Sequence, residues 1–268
     1  MNQTILIVCV NYNSYVELEN YLESIEKSAR ESKRVIVEVV VADNSTIVRD
    51  FDTDRYKYIN VKIQKLDNIG YLVGAQLIIN KISNILDYDY VAISNVDITM
   101  KENFFVELSN CKIEKDVAWI APQIYSSDEN RDRNPKVLSR YSKKKLQLLY
   151  YMYRFPLLFY TYTLTAYKRK KLLPKYPAMN IYAGHGSFML LTRSFFESYK
   201  EIHYPIFLFG EELFLAEEIL KASKKVRYVP SLVIYDNEHV STSTLKKKSY
   251  FKYNQESIKY ILDKYYNE

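Results

Sequence analysis

The 268-residue chain has little of what punctuates or cross-links a fold: 5 Gly, 7 Pro and 2 Cys. So few glycines and prolines exclude collagen-like and Gly/Pro-rich low-complexity chains. Two cysteines, Cys9 and Cys111, exclude a disulfide framework and a cysteine-rich zinc module, and point to a reducing compartment. The longest uncharged run of the central segment, residues 155–167, has 13 residues, short of the ~20 a membrane span needs. The apolar stretch 5–10 has no basic segment before it and meets Asn11 and Asn13 at once, so no signal peptide is expected. No G-x-G-x-x-G follows any apolar run, which argues against a dinucleotide-dependent dehydrogenase.

Acidic residues are also missing locally. From residue 133 to 194 there is no Asp or Glu against 13 Lys or Arg, while the remainder carries 25 basic and 32 acidic residues. The net charge of +6 therefore belongs to one basic segment in a mildly acidic protein. That pattern suits a localised anionic partner, and with no recognised binding motif it excludes a nucleic-acid-coating role.

What is present is an α/β alternation. Residues 4–10 (TILIVCV) and 35–42 (VIVEVVVA) read as strands buried on both faces, 58–66 and 88–94 as two more, with helices over 15–28 and 70–86. The order predicts an α/β fold with a mixed, mostly parallel central sheet. Each of these strands ends in amides or carboxylates: Asn11 and Asn13, Asp43 and Asn44, Asp67 and Asn68, Asn95 and Asp97. Ligands of such sheets bind beyond the carboxyl ends of the strands, so four polar ends predict one site on that rim. Further on, residues 116–121 and 184–191 read as strands, 211–223 as a helix, 226–229 and 232–235 as two short strands, and 245–266 as a C-terminal helix.

At these residues the sequence resembles family 2 glycosyltransferases of the GT-A fold, most of all the bacterial rhamnosyltransferase-like and capsular or cell-wall polysaccharide branch. Val8-Cys9-Val10-Asn11-Tyr12-Asn13 is similar to V-x-V-x-Y-N, and Val41-Ala42-Asp43-Asn44-Ser45 to the V-D-N-S block. Asn68-Ile69-Gly70-Tyr71 followed by Gly74 resembles N-x-G-[FY]-x-x-G. Asn95-Val96-Asp97 stands at the DXD-type motif, with Asn95 in place of the first acidic residue. The stretch GHGSFMLL from Gly184, the stretch FLFGEE from Phe207, and Pro230, His239 and Ser241 complete the order.

The resemblance implies a single GT-A domain over 1–268. Residues 1–100 form the nucleotide-sugar-binding half, 101–244 the acceptor half with a basic, aromatic insert at 136–176, and 245–268 the C-terminal helix. It also implies an inverting glycosyltransferase that uses a UDP- or dTDP-sugar to extend a glycan, lipid-linked, in surface polysaccharide synthesis at the cytoplasmic face of the membrane. Asn11, Asn13, Asp43, Asn68, Gly70, Asn95, Val96, Gly184 and Gly186 would line the nucleotide-sugar cleft. Asp97 and His239 would hold Mg²⁺ or Mn²⁺, which prefer one or two carboxylates plus phosphate oxygens, with Asp236 as the alternative to His239. Glu212, or its neighbour Glu211, would be the base, at a helix start where the dipole favours an anion.

The insert itself has nine Tyr or Phe between residues 141 and 167, Lys143–Lys145 before them and a second basic cluster, 168–171, after them. Pro156 should break it into two short helices. Either an interfacial element on an anionic membrane or a helical lid with a solvated basic rim fits. Two other functions stay open: a sugar-phosphate nucleotidyltransferase, against which the first strand lacks a Gly-rich, Arg-bearing loop, and a degenerate transferase-like binding subunit, which Asn95 keeps alive.

Overall fold

The computed structural model describes residues 2–47, 49–166, 175–236 and 246–267. Its centre is a 10-stranded mixed sheet. The first half is built from β1 (Gln3–Asn11), α1 (Tyr15–Glu31), β2 (Val35–Asp43), β3 (Ile59–Lys65), α2 (Tyr71–Ile79) and β4 (Tyr90–Ser94). The second half adds β5 (Ile98–Met100), α3 (Phe104–Asn110), β6 (Val117–Ser126) and β7 (Arg131–Asp132). The insert helices α4 (Lys143–Arg154) and α5 (Pro156–Ala166) follow, then β8 (Met179–Ile181), β9 (Phe188–Thr192), α6 (Arg193–Ser198), α7 (Glu211–Lys221), β10 (Lys225–Asp236) and α8 (Lys247–Tyr265). The strand order is β3-β2-β1-β4-β9-β6-β10-β5, with β7 on β6 and β8 on β10.

The long ladders, β3–β2, β2–β1, β1–β4 and β6–β10, are parallel, and antiparallel β9 joins the two parallel blocks. Period-two alternation divides the core. Ile5, Ile7 and Cys9 face α1 and α3, meeting Leu18, Leu22, Phe104 and Leu108. Leu6 and Val8 face the other way, toward Leu72 and Ile78 of α2, Trp119, and Phe214 and Ile258. Each such buried leucine or phenylalanine contributes about 1.5–3 kcal/mol. Burial also pushes the Cys9 thiol up to about 12, so it packs as a small apolar side chain.

Three predicted boundaries move, each for a local reason. The helix expected over 70–86 stops at Ile79, because Asn80 turns its amide onto the chain at Ile202, donating to its carbonyl (2.9 Å) and accepting from its N–H (2.9 Å). Gln76, one turn earlier, does the same at Tyr204. The strands expected at 226–229 and 232–235 are one strand, β10, with a register shift between Val229 and Val233. Pro230 has no N–H for a ladder, so the chain bulges there and resumes pairing. The strand expected from residue 184 starts only at Phe188, because its two glycines are spent in a loop. Pro156 does divide the insert, standing as the first residue of α5, where its missing N–H costs nothing. Among the described residues, no helix is long and apolar enough to cross a membrane.

Candidate active site at the strand ends

Parallel pairing sets Asn11 of β1 beside Asp43 of β2, so the predicted polar ends do share one rim. They are joined into a closed web. Asn11 Nδ2 donates to Asp43 Oδ1 (2.9 Å) and to Ser45 Oγ (3.1 Å). Ser45 Oγ donates to Asp43 Oδ1 at 2.6 Å, and the Tyr15 hydroxyl donates to Oδ2 at 2.7 Å. Asn13, at φ +56°, receives the N–H groups of Thr46 and Ile47 on its Oδ1, both at 3.1 Å. Asp43 is 2% exposed, and both its oxygens are engaged by the chain.

Gly70 ties this half to the other. Its φ is +106°, and a Cβ there would lie 2.2 Å from the Phe207 carbonyl oxygen. Only glycine fits that approach. Tyr71 N–H then donates to the same carbonyl at 3.0 Å, and the Tyr71 hydroxyl donates to the Gly186 carbonyl at 2.7 Å. Asn68 lies exposed just before this junction.

Two hydrogen bonds tie Asn95 to the loop that carries Gly186, and that loop to Glu212. Asn95, two residues before Asp97, donates its N–H to Ser187 (2.9 Å), and Gly186 N–H donates to Glu212 Oε1 (3.3 Å). Gly186 is pressed by both glutamates: a Cβ would meet Glu212 Cδ at 3.1 Å and Glu211 Oε1 at 3.2 Å. Gly184 is there for close packing instead, since a Cβ would lie 2.8 Å from both Ala121 and Trp119. Val96 is buried beneath the turn. The Tyr71 hydroxyl, buried at the centre, is raised well above its ordinary value, first by burial and then by the charges of Glu211, Glu212 and Asp97.

The glutamate pair opens α7 after Gly210, at φ +81°. Glu211 is buried, and its carboxyl is raised to about 8, by burial first and by Glu212 second. Glu212 is half-buried. Lys136 draws Glu211 down slightly, and with Arg133 and Arg131 it adds to the burial that holds His185 neutral. His185 Nδ1 accepts from Ser187 N–H (3.2 Å), and its ring also meets Ser187 Oγ at 3.0 Å. Arg133 pairs with Asp236, and Arg131 with Glu129. Arg133 and Lys136 open the acid-free segment, and Arg131 precedes it.

For the cation, the described donor set is small. Asp97 is 6% exposed at the strand end, and Asp236 pairs with Ile98, the next residue, across the β10–β5 ladder. Asp236 is ion-paired to Arg133 at 2.7 Å. His239 and Ser241 lie outside the described residues, and among the described residues no three Asp, Glu, His or Cys form a metal cluster. A divalent cation that completes its shell with diphosphate oxygens needs only one or two carboxylates, and that demand fits Asp97.

No protein-family model and no curated protein sequence matches the chain. Solved structures do. A mannosyltransferase, PcManGT from Pyrobaculum calidifontis, in complex with GDP-Man and Mn2+, aligns at TM-score 0.52 and 11% identity over 90% of this chain. S. aureus TarS 1-349 in complex with UDP-GlcNAc aligns at 0.53 and 12% over 100% of this chain and 72% of its own. GalNAc-T7 with UDP, GalNAc and Mn2+ aligns at 0.55 and 13% over 89% of this chain and 44% of its own. The fold is GT-A. The expected α/β class with its mixed, mostly parallel sheet and helical regions is correct. At 11–13% identity the likeness concerns the fold, and the chain spans 59% of the length of the mannosyltransferase.

Proposed function

We propose that the protein is an inverting glycosyltransferase that moves a sugar from a nucleotide-diphosphate donor to a glycan hydroxyl. The observation that carries this reading is the loop at Gly186, which accepts the Tyr71 hydroxyl on its carbonyl, donates its N–H to Glu212 and, through the Ser187 carbonyl, holds the Asn95 N–H, at the strand ends of a GT-A sheet. The web of Asn11, Asn13 and Asp43, with Asn68 and Gly70, forms the nucleotide side of the cleft. Asn95, Val96 and Gly186 shape the sugar side, while Gly184 lets the chain pass close over Ala121 and Trp119 behind it. Asp97 and His239 would hold Mg²⁺ or Mn²⁺, which neutralises the leaving diphosphate when bound.

The pair at the start of α7 then divides the work. Glu211, raised to about 8, is protonated at neutral pH. Glu212 takes the proton from the acceptor hydroxyl. The hydroxyl oxygen attacks the anomeric carbon from the face opposite the diphosphate, the bond to the diphosphate oxygen breaks, and the configuration inverts. His185, beside Gly186, is held neutral by burial first and then by the positive charge of Lys136, Arg133 and Arg131, and that local field favours an anionic donor. Under this reading the acceptor is a glycan on a polyprenyl diphosphate, extended at the cytoplasmic membrane face in surface polysaccharide synthesis.

The test is release of nucleoside diphosphate from a panel of UDP-, dTDP- and GDP-sugars with Mn²⁺. One donor should turn over slowly without acceptor and faster with it. A folded Glu212→Gln protein that keeps full transfer would remove the base assignment.

A further inference from the structure

The insert carries a surface that the cleft does not use. The inner stripe of α4 packs on α8: Leu146 is buried, and Tyr153 meets Tyr250 and Phe251 with ring centroids at 6.1 and 6.3 Å. The outer stripe is different. Leu148, Tyr151 and Phe155 recur at helical spacing with 56%, 52% and 50% of their surface exposed. On α5, Leu157 is 75%, Leu158 49% and Leu164 69% exposed. Surfaces this apolar on adjoining helices mark a partner.

We propose that the outer face of α4 and α5 seats on an anionic lipid bilayer. Charge selects this partner. Lys143, Lys144 and Lys145 open α4 on exposed positions, in a stretch of the chain, 133–194, that holds no Asp or Glu, with Lys145 also set over the Tyr141 ring at 3.7 Å. A second copy packed face to face would set like charges against each other and leave them unpaired. Anionic headgroups neutralise the lysines, the leucines enter the acyl boundary, and Tyr151 has the headgroup-level chemistry of an interfacial ring.

The face also adjoins the acceptor side of the cleft. Phe159 of α5 meets Phe251 at 5.3 Å, Phe251 meets Tyr250 at 5.7 Å, and Tyr250 meets Phe209 at 5.4 Å, two residues before Glu211. Tyr141, just before α4, has its hydroxyl raised by burial and by the charge of Glu212. A bilayer on this face would present acceptors beside Glu212. This deepens the acceptor half of the proposed function, but the surface itself needs no catalysis.

Co-sedimentation of the full chain with phosphatidylcholine vesicles, with and without phosphatidylglycerol, tests it. The protein should partition onto the anionic vesicles, release at high salt, and stay off the neutral ones. Lys143→Ser and Lys144→Ser should each weaken partition about five-fold. Leu157→Ser and Leu164→Ser should each weaken it about ten-fold, with unchanged melting, because both side chains are already exposed. Equal partition of all variants, or no vesicle binding by the parent protein, overturns the proposal. So does a dimer in light scattering that Leu157→Ser dissociates while vesicles stay unbound. Nucleotide binding measured on the same samples separates this failure from failure of the sugar-transfer reading.

Discussion

Asp43 and the Glu211–Glu212 pair are carboxylates set into the same rim, and the chain supplies them in opposite ways. Asp43 receives donors from Asn11, Ser45 and Tyr15 on both oxygens. Glu211 is equally withdrawn from water, but its neighbour is another carboxylate, which adds to burial in raising it to about 8. A buried carboxylate surrounded by donors is a structural brace, because losing it leaves those donors unpaired. A buried carboxyl set against another carboxylate instead holds its proton, because a second buried charge beside the first is unfavourable. The Asp43 web is therefore rigid, while the α7 pair shares one buried charge, as the proposed base chemistry requires.

The largest effect that sharpens this contrast is on rate. Glu212→Gln should lower transfer by ~10²–10⁴-fold while the melting temperature is kept, measured as diphosphate release in parallel with thermal unfolding. Next comes Asp43→Asn, which should cost roughly 1.5–3 kcal/mol in denaturant unfolding, since it removes a charged acceptor from three side chains. An Asp43→Asn protein of unchanged stability would break the contrast from the structural side.

Glu211→Gln should act with the opposite sign. A carboxyl raised from 4.5 to about 8 gives stability that is present below pH 4.5 and lost as pH climbs through 8. The Gln variant lacks that loss, so it should gain roughly 1–3 kcal/mol over the parent across that range. Parallel pH–stability curves for the two proteins would contradict the coupling. The smallest effect is Tyr71→Phe, which deletes the hydroxyl bond to Gly186 and should cost about 1 kcal/mol, read from the shift in unfolding midpoint.

Much of this was legible in the residues. Apolar runs at 4–10 and 35–42 could only be strands buried on both faces, and their polar ends could only collect on one edge. Position-specific glycines were legible as well, although Gly70 matters for the approach of Phe207 as much as for the cleft. What sequence could not give was assignment among neighbours. Nothing in the spacing says that Asp43 faces inward to Tyr15, or that Asp236 meets Arg133. These depend on side-chain direction at the end of a twisted sheet. The short β5, α3, β7, β8 and α6 were missed for a related reason: tertiary contacts fix them, and local periodicity over so few residues is weak.

Under the proposed function, Asp97 and Glu212 serve one nucleotide-diphosphate cleft from its two sides. Thermal unfolding with UDP, dTDP or GDP, each with and without Mn²⁺, tests this most directly in the parent protein, Asp97→Ala and Glu212→Gln. One nucleotide with Mn²⁺ should raise the melting temperature of the parent and of Glu212→Gln alike, and leave Asp97→Ala unmoved. An equal rise in Asp97→Ala, or no rise in the parent with any of the three, would contradict it.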